Sequence, residues 1–167
     1  LLLAEQEKSE RLLLNILPQP IADRLKRQET NIADGHADVT VMFADIVNFT
    51  RMSEEMSPNE TVQLLNTIFS EFDLLAERYG IEKIKTIGDA YMAVAGVPHR
   101  RADHAHAAAK MALAMRDTIA QNVEHLGVEI RIGIASGPAV AGVIGKRKFA
   151  YDLWGDTVNT AARMESH

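Results

Sequence analysis

The chain has 167 residues, of which 47% are apolar and 25% are charged, and its formal net charge is −5 with a pI near 5.7. This composition suits one folded domain with room for a helical arm, and the negative charge argues against a nucleic-acid-binding surface. The absence of cysteine excludes disulfides, zinc thiolate sites and thiol nucleophiles. The sequence has no secretory signal and no apolar run of membrane-spanning length. Because it begins with Leu1 rather than Met, we expect it to be part of a longer protein.

Residues 1–28 have the pattern of a helical arm. Leucines lie on both sides of a charged stretch, and Pro18 should end the first helix because proline removes a backbone donor. Neither heptad register is fully apolar, so the arm is either a weak coiled coil between two chains or an amphipathic helix lying on its own domain. Residues 31–35 are predicted to be a linker. We therefore place the arm at 1–36 and the compact domain at 37–167.

The compact domain begins with an apolar strand at 39–44. Ser57-Pro58-Asn59-Glu60 then provides a helix N-cap, a proline at the first helical position and a glutamate three residues after the cap. The helix that follows should end at Gly80. Strands are predicted at 81–87 and 90–95, and the two residues between them favour a tight hairpin.

The second half of the domain also has a helix followed by a hairpin. An alanine-rich helix is predicted to end before Gly127, and strands at 129–135 and 139–144 are separated by a predicted turn at 136–138. A last helix is predicted at 157–165. This order predicts an α+β sandwich, ferredoxin-like or palm-like, with helices on one face of a largely antiparallel sheet.

Two aspartates lie where strands end. Asp45 follows strand 39–44, and Asp89 lies at the tip of the first hairpin. If that strand and hairpin are neighbours at the centre of the sheet, both carboxylates reach the same end of it. Proteins hold Mg²⁺ with one or two carboxylates while substrate phosphates supply other ligands, so the pair indicates phosphoryl or nucleotidyl chemistry. Alternatively, Asp89 only favours its turn and Asp45 only caps the next one.

The residues after Asp45 form a possible phosphate-binding turn. Ile46-Val47-Asn48-Phe49-Thr50 precede the capped helix, and successive backbone N–H groups of such a turn can bind an anion. Any strand-to-helix turn offers these donors, so this interpretation depends on Asp45 beside it.

Two further pairs of polar residues suit a nucleotide site. Lys85 and Asp152 can donate to and accept from the edge of a purine, although their spacing alone favours a surface ion pair. Asn159 and Arg163 lie four residues apart, hence on one face of the last helix, where an amide can orient a sugar and a guanidinium can bind phosphate. Polar residues on a solvated face are the commoner explanation of that pair.

Four segments together closely resemble the class III nucleotidyl cyclase catalytic domain. They are FADIVNFT at 43–50, KTIGDAYM at 85–92, RIGIASG at 131–137 and YDLWGDTVNTAARME at 151–165. The resemblance covers most of residues 37–167 and is greatest to membrane-anchored bacterial adenylyl cyclases. In that family the domain continues past its final helix with further strands and a phosphate-contacting lysine. The resemblance therefore implies that the C-terminal part of the domain is missing from this sequence.

The resemblance implies which residues bind metal and phosphate. Asp45 and Asp89 match the ligands of two Mg²⁺ or Mn²⁺ ions per active site, with the Ile46 carbonyl as a further metal contact. The turn at 46–50 matches the binding site of the β- and γ-phosphates.

The resemblance also implies which residues bind the nucleoside. Lys85 and Asp152 match the purine-selecting pair and have the identities found in adenylyl cyclases, whereas guanylyl cyclases typically carry Glu and Cys there. Asn159 matches the ribose-orienting residue. Arg163 matches the residue that stabilises the transition state.

The implied activity is conversion of ATP to 3′,5′-cyclic AMP and pyrophosphate. The family forms head-to-tail homodimers with two active sites, each built from both subunits. The arm resembles the helical linker of membrane-anchored cyclases, so a cytoplasmic domain behind an N-terminal membrane module is implied. The alternatives are a guanylyl cyclase and a regulatory dimerisation module that binds nucleotide without turnover.

Overall fold

A computed structural model describes residues 1–122 and 127–167. The described residues form six helices and five strands. In order these are α1 (Leu2–Leu14), α2 (Gln19–Lys26), β1 (Ala33–Ile46), α3 (Phe49–Glu54), α4 (Pro58–Tyr79), β2 (Glu82–Ile87), β3 (Ala90–Ala95), α5 (His104–Asn122), β4 (Ile130–Ile144), β5 (Ala150–Trp154) and α6 (Asp156–Ser166).

The strands form one sheet in the order β2-β3-β1-β4-β5, and every neighbouring pair is antiparallel. β1 is central and its residues from Val39 to Ala44 are buried, as expected for a strand covered on both faces. The predicted α+β fold with a largely antiparallel sheet is confirmed. β1 and β3 are neighbours. This pairing is the condition under which Asp45 and Asp89 were expected to reach the same end of the sheet.

Helices cover both faces of the sheet. α4 and α5 bury Phe72 and Met115 in a cluster on one face. On the opposite face, Ile21 of α2 and Ala161 of α6 are buried with Val41 of β1. The expectation that helices cover one face only is therefore wrong, because the short helices α2 and α6 also pack against the sheet.

α4 begins and ends as its sequence predicts. The Ser57 hydroxyl accepts a hydrogen bond from the Glu60 N–H at 3.1 Å, and the Glu60 carboxylate accepts one from the Ser57 N–H at 3.3 Å, which completes the capping box. Gly80 ends the helix in the left-handed conformation with φ of 66°. Its buried residues are Leu64, Ile68, Phe72, Leu75 and Ala76, whereas Val62 in its first turns is exposed.

The predicted turn at 136–138 is wrong. β4 continues through it to Ile144 and forms its hairpin with β5, which was not predicted as a strand. Pro138 is accommodated because it lies opposite a bulge between His36 and Val39 of β1, where the ladder requires no N–H from it. Proline often marks a turn, but Pro138 instead lies within a long strand, at a position that is not paired with a residue of β1.

The start of β1 and the N-terminal arm also differ from expectation. The predicted linker at 31–35 is largely strand, because β1 begins at Ala33 and pairs there with the distal half of β4. α2 packs on the sheet, whereas α1 buries none of its residues. Within residues 1–122 and 127–167, no helix is both long enough and apolar enough to span a membrane.

Candidate active site

Asp45 and Asp89 meet at one end of the sheet. Antiparallel pairing of β1 with β3 places the end of β1 beside the β2–β3 hairpin. There the Ile46 N–H donates to Asp89 Oδ2 at 3.2 Å. Both aspartates line a cavity of about 450 Å³, together with Ile46, Asn48, Phe49, Thr50, Arg51, Glu54 and Arg131.

The turn after β1 contributes backbone groups to this cavity. Asn48 adopts the left-handed conformation with φ of 58°, which asparagine tolerates better than most residues, and α3 begins at Phe49. The N–H groups of the first turn of a helix have no partner within the helix. Phe49 and Thr50 therefore offer donors beside the two carboxylates.

The donor set suits a hard divalent cation. Asp45 and Asp89 supply two carboxylates at one cavity, and Mg²⁺ commonly completes such a site with water and substrate phosphates. No group of three or more His, Cys, Asp or Glu side chains within residues 1–122 and 127–167 is arranged to hold a metal. A metal bound here would therefore complete its coordination with water, backbone carbonyl groups or phosphate oxygens.

Two residues to which the sequence analysis assigned no role, Arg131 and Glu165, lie close to Asp45, and Arg131 also lines this cavity. Arg131, which pairs directly with Asp45 across β1 and β4, has its Nη2 and Nε each 3.4 Å from one oxygen of Asp45. The same Nε lies 3.5 Å from Glu165 Oε1 on α6. Both residues fall within the motifs noted above, but only the register of β1 against β4 shows that they meet Asp45.

The Glu165 carboxyl group has a pKa above its ordinary range. Burial and the adjoining Asp45 carboxyl group together raise that pKa to about 7, while the charge of Arg131 opposes the shift. Two carboxyl groups close together cannot both ionise easily unless a cation lies between or beside them. The site therefore has more negative-charge capacity than Arg131 alone neutralises.

Lys85 and Asp152 meet although β2 and β5 are the two edge strands. The Lys85 ammonium donates to Asp152 Oδ2 at 2.7 Å, so the sheet curls enough to bring its edges together. Asp152 is held in place because its Oδ1 accepts from the Leu153 N–H at 2.8 Å. The Asp152 side chain is 19% exposed and that of Lys85 is 43% exposed, so the pair is accessible from solvent.

A β-bulge gives Lys85 its direction. Lys83 pairs with Ala93 and Lys85 pairs with Met92, so Ile84 is the additional residue. In a regular strand, residues two apart lie on the same face. The bulge separates them: Lys83 reaches Asp73 of α4, whereas Lys85 reaches Asp152 on the other side.

Asn159 and Arg163 lie exposed on α6, as their spacing predicts. The only side-chain hydrogen bond given by Arg163, within the described part of the chain, runs from its Nη2 to Thr160 Oγ1 at 3.2 Å. Neither residue lines the cavity of Asp45 and Asp89, and neither do Lys85 and Asp152. The candidate residues thus form separate groups in a single chain.

A second cavity, of about 630 Å³, adjoins the Lys85–Asp152 pair. It lies between the α1–α2 junction, α4, β2 and β5, and it also contains Glu82 and Tyr151. Burial raises the pKa of Glu82 to about 7. The Tyr151 hydroxyl is buried without a hydrogen-bond partner among the described residues.

Glu82 should make the protein less stable as pH rises. Its folded pKa of about 7 exceeds the ordinary 4.5. The stability that the neutral Glu82 carboxyl group contributes to the folded protein is therefore fully present below pH 4.5 and is lost as pH rises through 7. After allowance for partial exposure, we expect Glu82→Gln to raise the free energy of unfolding by about 1–2 kcal/mol at pH 8, with no gain at pH 4.5. Urea unfolding across this range measures the difference.

Glu77→Gln is the matched control, because Glu77 lines the same cavity but is exposed on α4. It should show no such pH-dependent gain. If Glu82→Gln and wild type lose stability in parallel between pH 4.5 and 8, the half-buried position of Glu82 does not raise its pKa.

Comparison with known proteins gives consistent matches. The model of the adenylate and guanylate cyclase catalytic domain family matches residues 32–167. An adenylate cyclase of Mycobacterium tuberculosis is 50% identical over 166 residues, which are 98% of this chain and 38% of that protein. Human atrial natriuretic peptide receptor 2 is 45% identical over 170 residues, covering 99% of this chain and 16% of the receptor. The chain thus spans well under half of either relative.

A solved structure has the same fold. It is described as the catalytic core of a rhodopsin-guanylyl cyclase with converted specificity in complex with ATPαS. It is 45% identical, with a TM-score of 0.77, and the match covers 80% of this chain and 74% of that one.

Proposed function

Since the chain belongs to the adenylate and guanylate cyclase catalytic domain family, we propose that it acts as an adenylyl cyclase. The reaction converts ATP to 3′,5′-cyclic AMP and pyrophosphate. The 3′-oxygen of ATP attacks the α-phosphorus, the bond from that phosphorus to the oxygen bridging to the β-phosphorus breaks, and the 3′-hydroxyl proton is released to solvent.

The Lys85–Asp152 pair is the observation that supports ATP over GTP. It presents one ammonium donor and one carboxylate acceptor 2.7 Å apart. Adenine has a ring-nitrogen acceptor beside an amino donor, so the ammonium and the carboxylate can each find a partner on one base edge. A buried site discriminates because the wrong purine leaves such groups unpaired.

The other candidate residues act on the ribose and the phosphates. Asp45 and Asp89 would hold Mg²⁺ or Mn²⁺, with the Ile46 carbonyl as a further contact. Two such ions would lower the pKa of the 3′-hydroxyl and neutralise the triphosphate. Asn48, Phe49, Thr50 and Arg131 line the same cavity. Their backbone N–H groups and the Arg131 guanidinium suit the β- and γ-phosphates.

Residues of α6 complete the site. Asn159 orients the ribose so that the 3′-oxygen faces the α-phosphorus. Arg163 stabilises the negative charge that develops on the phosphoryl oxygens in the transition state. Both side chains are exposed and lie outside the cavity of Asp45, so they are free to reach the site of another subunit.

Separation of these groups within one chain supports a homodimer with composite sites. One subunit supplies Asp45 and Asp89, and the other supplies Lys85, Asp152, Asn159 and Arg163. Val140, Ile144 and Trp154 on β4 and β5 are 44%, 52% and 39% exposed, and an apolar surface of this kind suits a subunit interface. We assign α1, the part of the predicted arm that buries none of its residues, to holding the dimer and to connecting a cytoplasmic catalytic domain with an N-terminal membrane module.

Product formation from ATP and from GTP tests this function. The full-length protein is incubated with Mn²⁺ and each nucleotide in turn, and cyclic nucleotides are separated and quantified. We expect cyclic AMP to exceed cyclic GMP by at least an order of magnitude, since two base contacts are lost with guanine. Dominant cyclic GMP would show a guanylyl cyclase. Bound nucleotide without product would show a regulatory module.

A further inference from the structure

A cluster of two carboxyl groups and one guanidinium lies where β1, β4 and α6 meet. Arg131 is 3.4 Å from each oxygen of Asp45 and 3.5 Å from Glu165 Oε1, and its Nε faces both carboxyl groups. Charge-assisted N–H···O bonds are normally about 2.7–2.9 Å long. Arg131 is therefore shared by two carboxyl groups and held tightly by neither.

The position of Glu165 is fixed by the packing of α6. The helix crosses β4 at Gly133, where a Cβ would come within 2.1 Å of the Glu165 backbone nitrogen and 2.6 Å of the Ala161 carbonyl oxygen. Only glycine permits so close an approach. The Glu165 side chain is 11% exposed, so it has little freedom to leave the cluster.

One oxygen of Glu165 has an unused capacity to accept a hydrogen bond. Glu165 Oε1 is buried without a hydrogen-bond partner among the residues that the structure describes. Leaving a buried acceptor unpaired costs free energy, and such groups are rare in folded proteins. Arg131 Nε lies 3.5 Å from this oxygen without forming a hydrogen bond to it, and the same Nε also contacts Asp45.

We propose that Glu165 is a positioning residue for the metal site: it accepts Arg131 when Asp45 turns from Arg131 to the cation. This inference rests on the proposed function in one respect, namely that Asp45 binds the metal. Glu165 itself contacts neither metal nor nucleotide in this scheme and acts through Arg131.

The physical reason is the cost of freeing Arg131. A cation bound by Asp45 takes the acceptor of the guanidinium and repels it. Without another acceptor, a cation that bound Asp45 would leave the Arg131 guanidinium unpaired. Arg131 would therefore compete with the cation for Asp45. Glu165 offers a second acceptor within a small rotation, so metal binding leaves no charged group unpaired. Residues that orient metal ligands in this way typically affect affinity by about 10–100-fold.

Glu165→Gln tests the proposal through metal binding without turnover. Mn²⁺ alone is titrated into the protein, and free Mn²⁺ is measured by electron paramagnetic resonance. We expect the dissociation constant to rise about tenfold, with a melting temperature close to that of wild type. Glu165→Asp, which keeps a shorter carboxyl group, should show an intermediate rise. Glu129→Gln is the control for loss of one charge, since Glu129 is exposed beside the same end of β4, and should change the constant by no more than about twofold.

Repeating the Mn²⁺ titration in an Arg131→Ala background shows whether Glu165 acts through Arg131. Because the proposed effect passes through Arg131, Glu165→Gln should there raise the constant by no more than the control does. A full tenfold rise in that background would show that Glu165 acts directly on the cation and would overturn the proposal. Unchanged Mn²⁺ affinity of Glu165→Gln, or Mn²⁺ binding that survives Asp45→Asn, would also overturn it. A protein that binds Mn²⁺ as expected but forms no cyclic nucleotide would refute the proposed function and leave the role of Glu165 supported.

Discussion

Changing Lys85→Glu together with Asp152→Cys should lower the ATP/GTP ratio of kcat/KM by about 100-fold or more. The ammonium donor becomes a carboxylate acceptor, and the carboxylate acceptor becomes a weak thiol donor, so the adenine edge loses both partners. Each lost contact to a charged group is worth about 1.5–3 kcal/mol, and 1.4 kcal/mol is a factor of ten. Cyclic AMP and cyclic GMP formation by the purified double variant measure the ratio.

Lys83→Glu is the matched control for this exchange. Lys83 lies two residues away on β2, but the bulge directs it to Asp73 on the other side of the strand. It should leave the ATP/GTP ratio within about twofold of wild type, since a surface ion pair contributes little. An unmoved ratio in a folded, dimeric Lys85/Asp152 double variant would remove the purine-selecting role from these residues.

The parts of the fold that depend on neighbouring residues were predictable from the sequence. Ser57 and Glu60 form the expected capping box, and Gly80 ends α4 as expected. Asp89 lies at the tip of a hairpin because only two residues separate β2 from β3. These features are set within a few residues of chain, where capping and turn preferences are strong.

Long-range pairing accounts for the errors. The local sequence predicts a turn at Pro138, but a bulge in β1, about one hundred residues earlier in the chain, leaves this proline unpaired within β4. The direction of Lys85 depends likewise on a bulge that shifts its register against β3. Neither register can be read from the local pattern of apolar and polar residues, because both depend on which distant residue lies opposite.

The same distinction between local and long-range features applies to the candidate site. Asp45 and Asp89 could be predicted because each follows a recognisable strand and their strands are neighbours. Arg131 and Glu165 lie in the same motifs, but an arginine in an exposed strand position and a glutamate near the end of a helix have no local signal of function. Their proposed role depends on the pairing of Arg131 with Asp45 and on the crossing of α6 at Gly133.

Mixing Asp45→Ala and Arg163→Ala proteins should restore activity that neither has alone. Loss of a metal ligand or of the transition-state arginine should each reduce kcat by about 10²–10³-fold. If Asp45 serves one subunit and Arg163 reaches its site from the other, a mixed dimer has one site with both lesions and one with neither. With random exchange, half of the dimers are mixed and half of their sites are intact, so activity should recover to about a quarter of wild type.

A mixture of Asp45→Ala and Asp89→Ala proteins is the control. It distinguishes recovery through composite sites from an effect of subunit exchange alone. If both aspartates of a site come from the same subunit, every site of this mixed dimer keeps one lesion and no recovery is expected. Subunit exchange is verified in both mixtures by co-purification of differently tagged chains. If the Asp45/Arg163 mixture exchanges subunits and stays inactive, each site is built within one chain and the assignment of Asn159 and Arg163 to the partner subunit's site is wrong. If both mixtures recover equally, the recovery comes from another source than complementary sites, because two lesions on one side cannot complement each other.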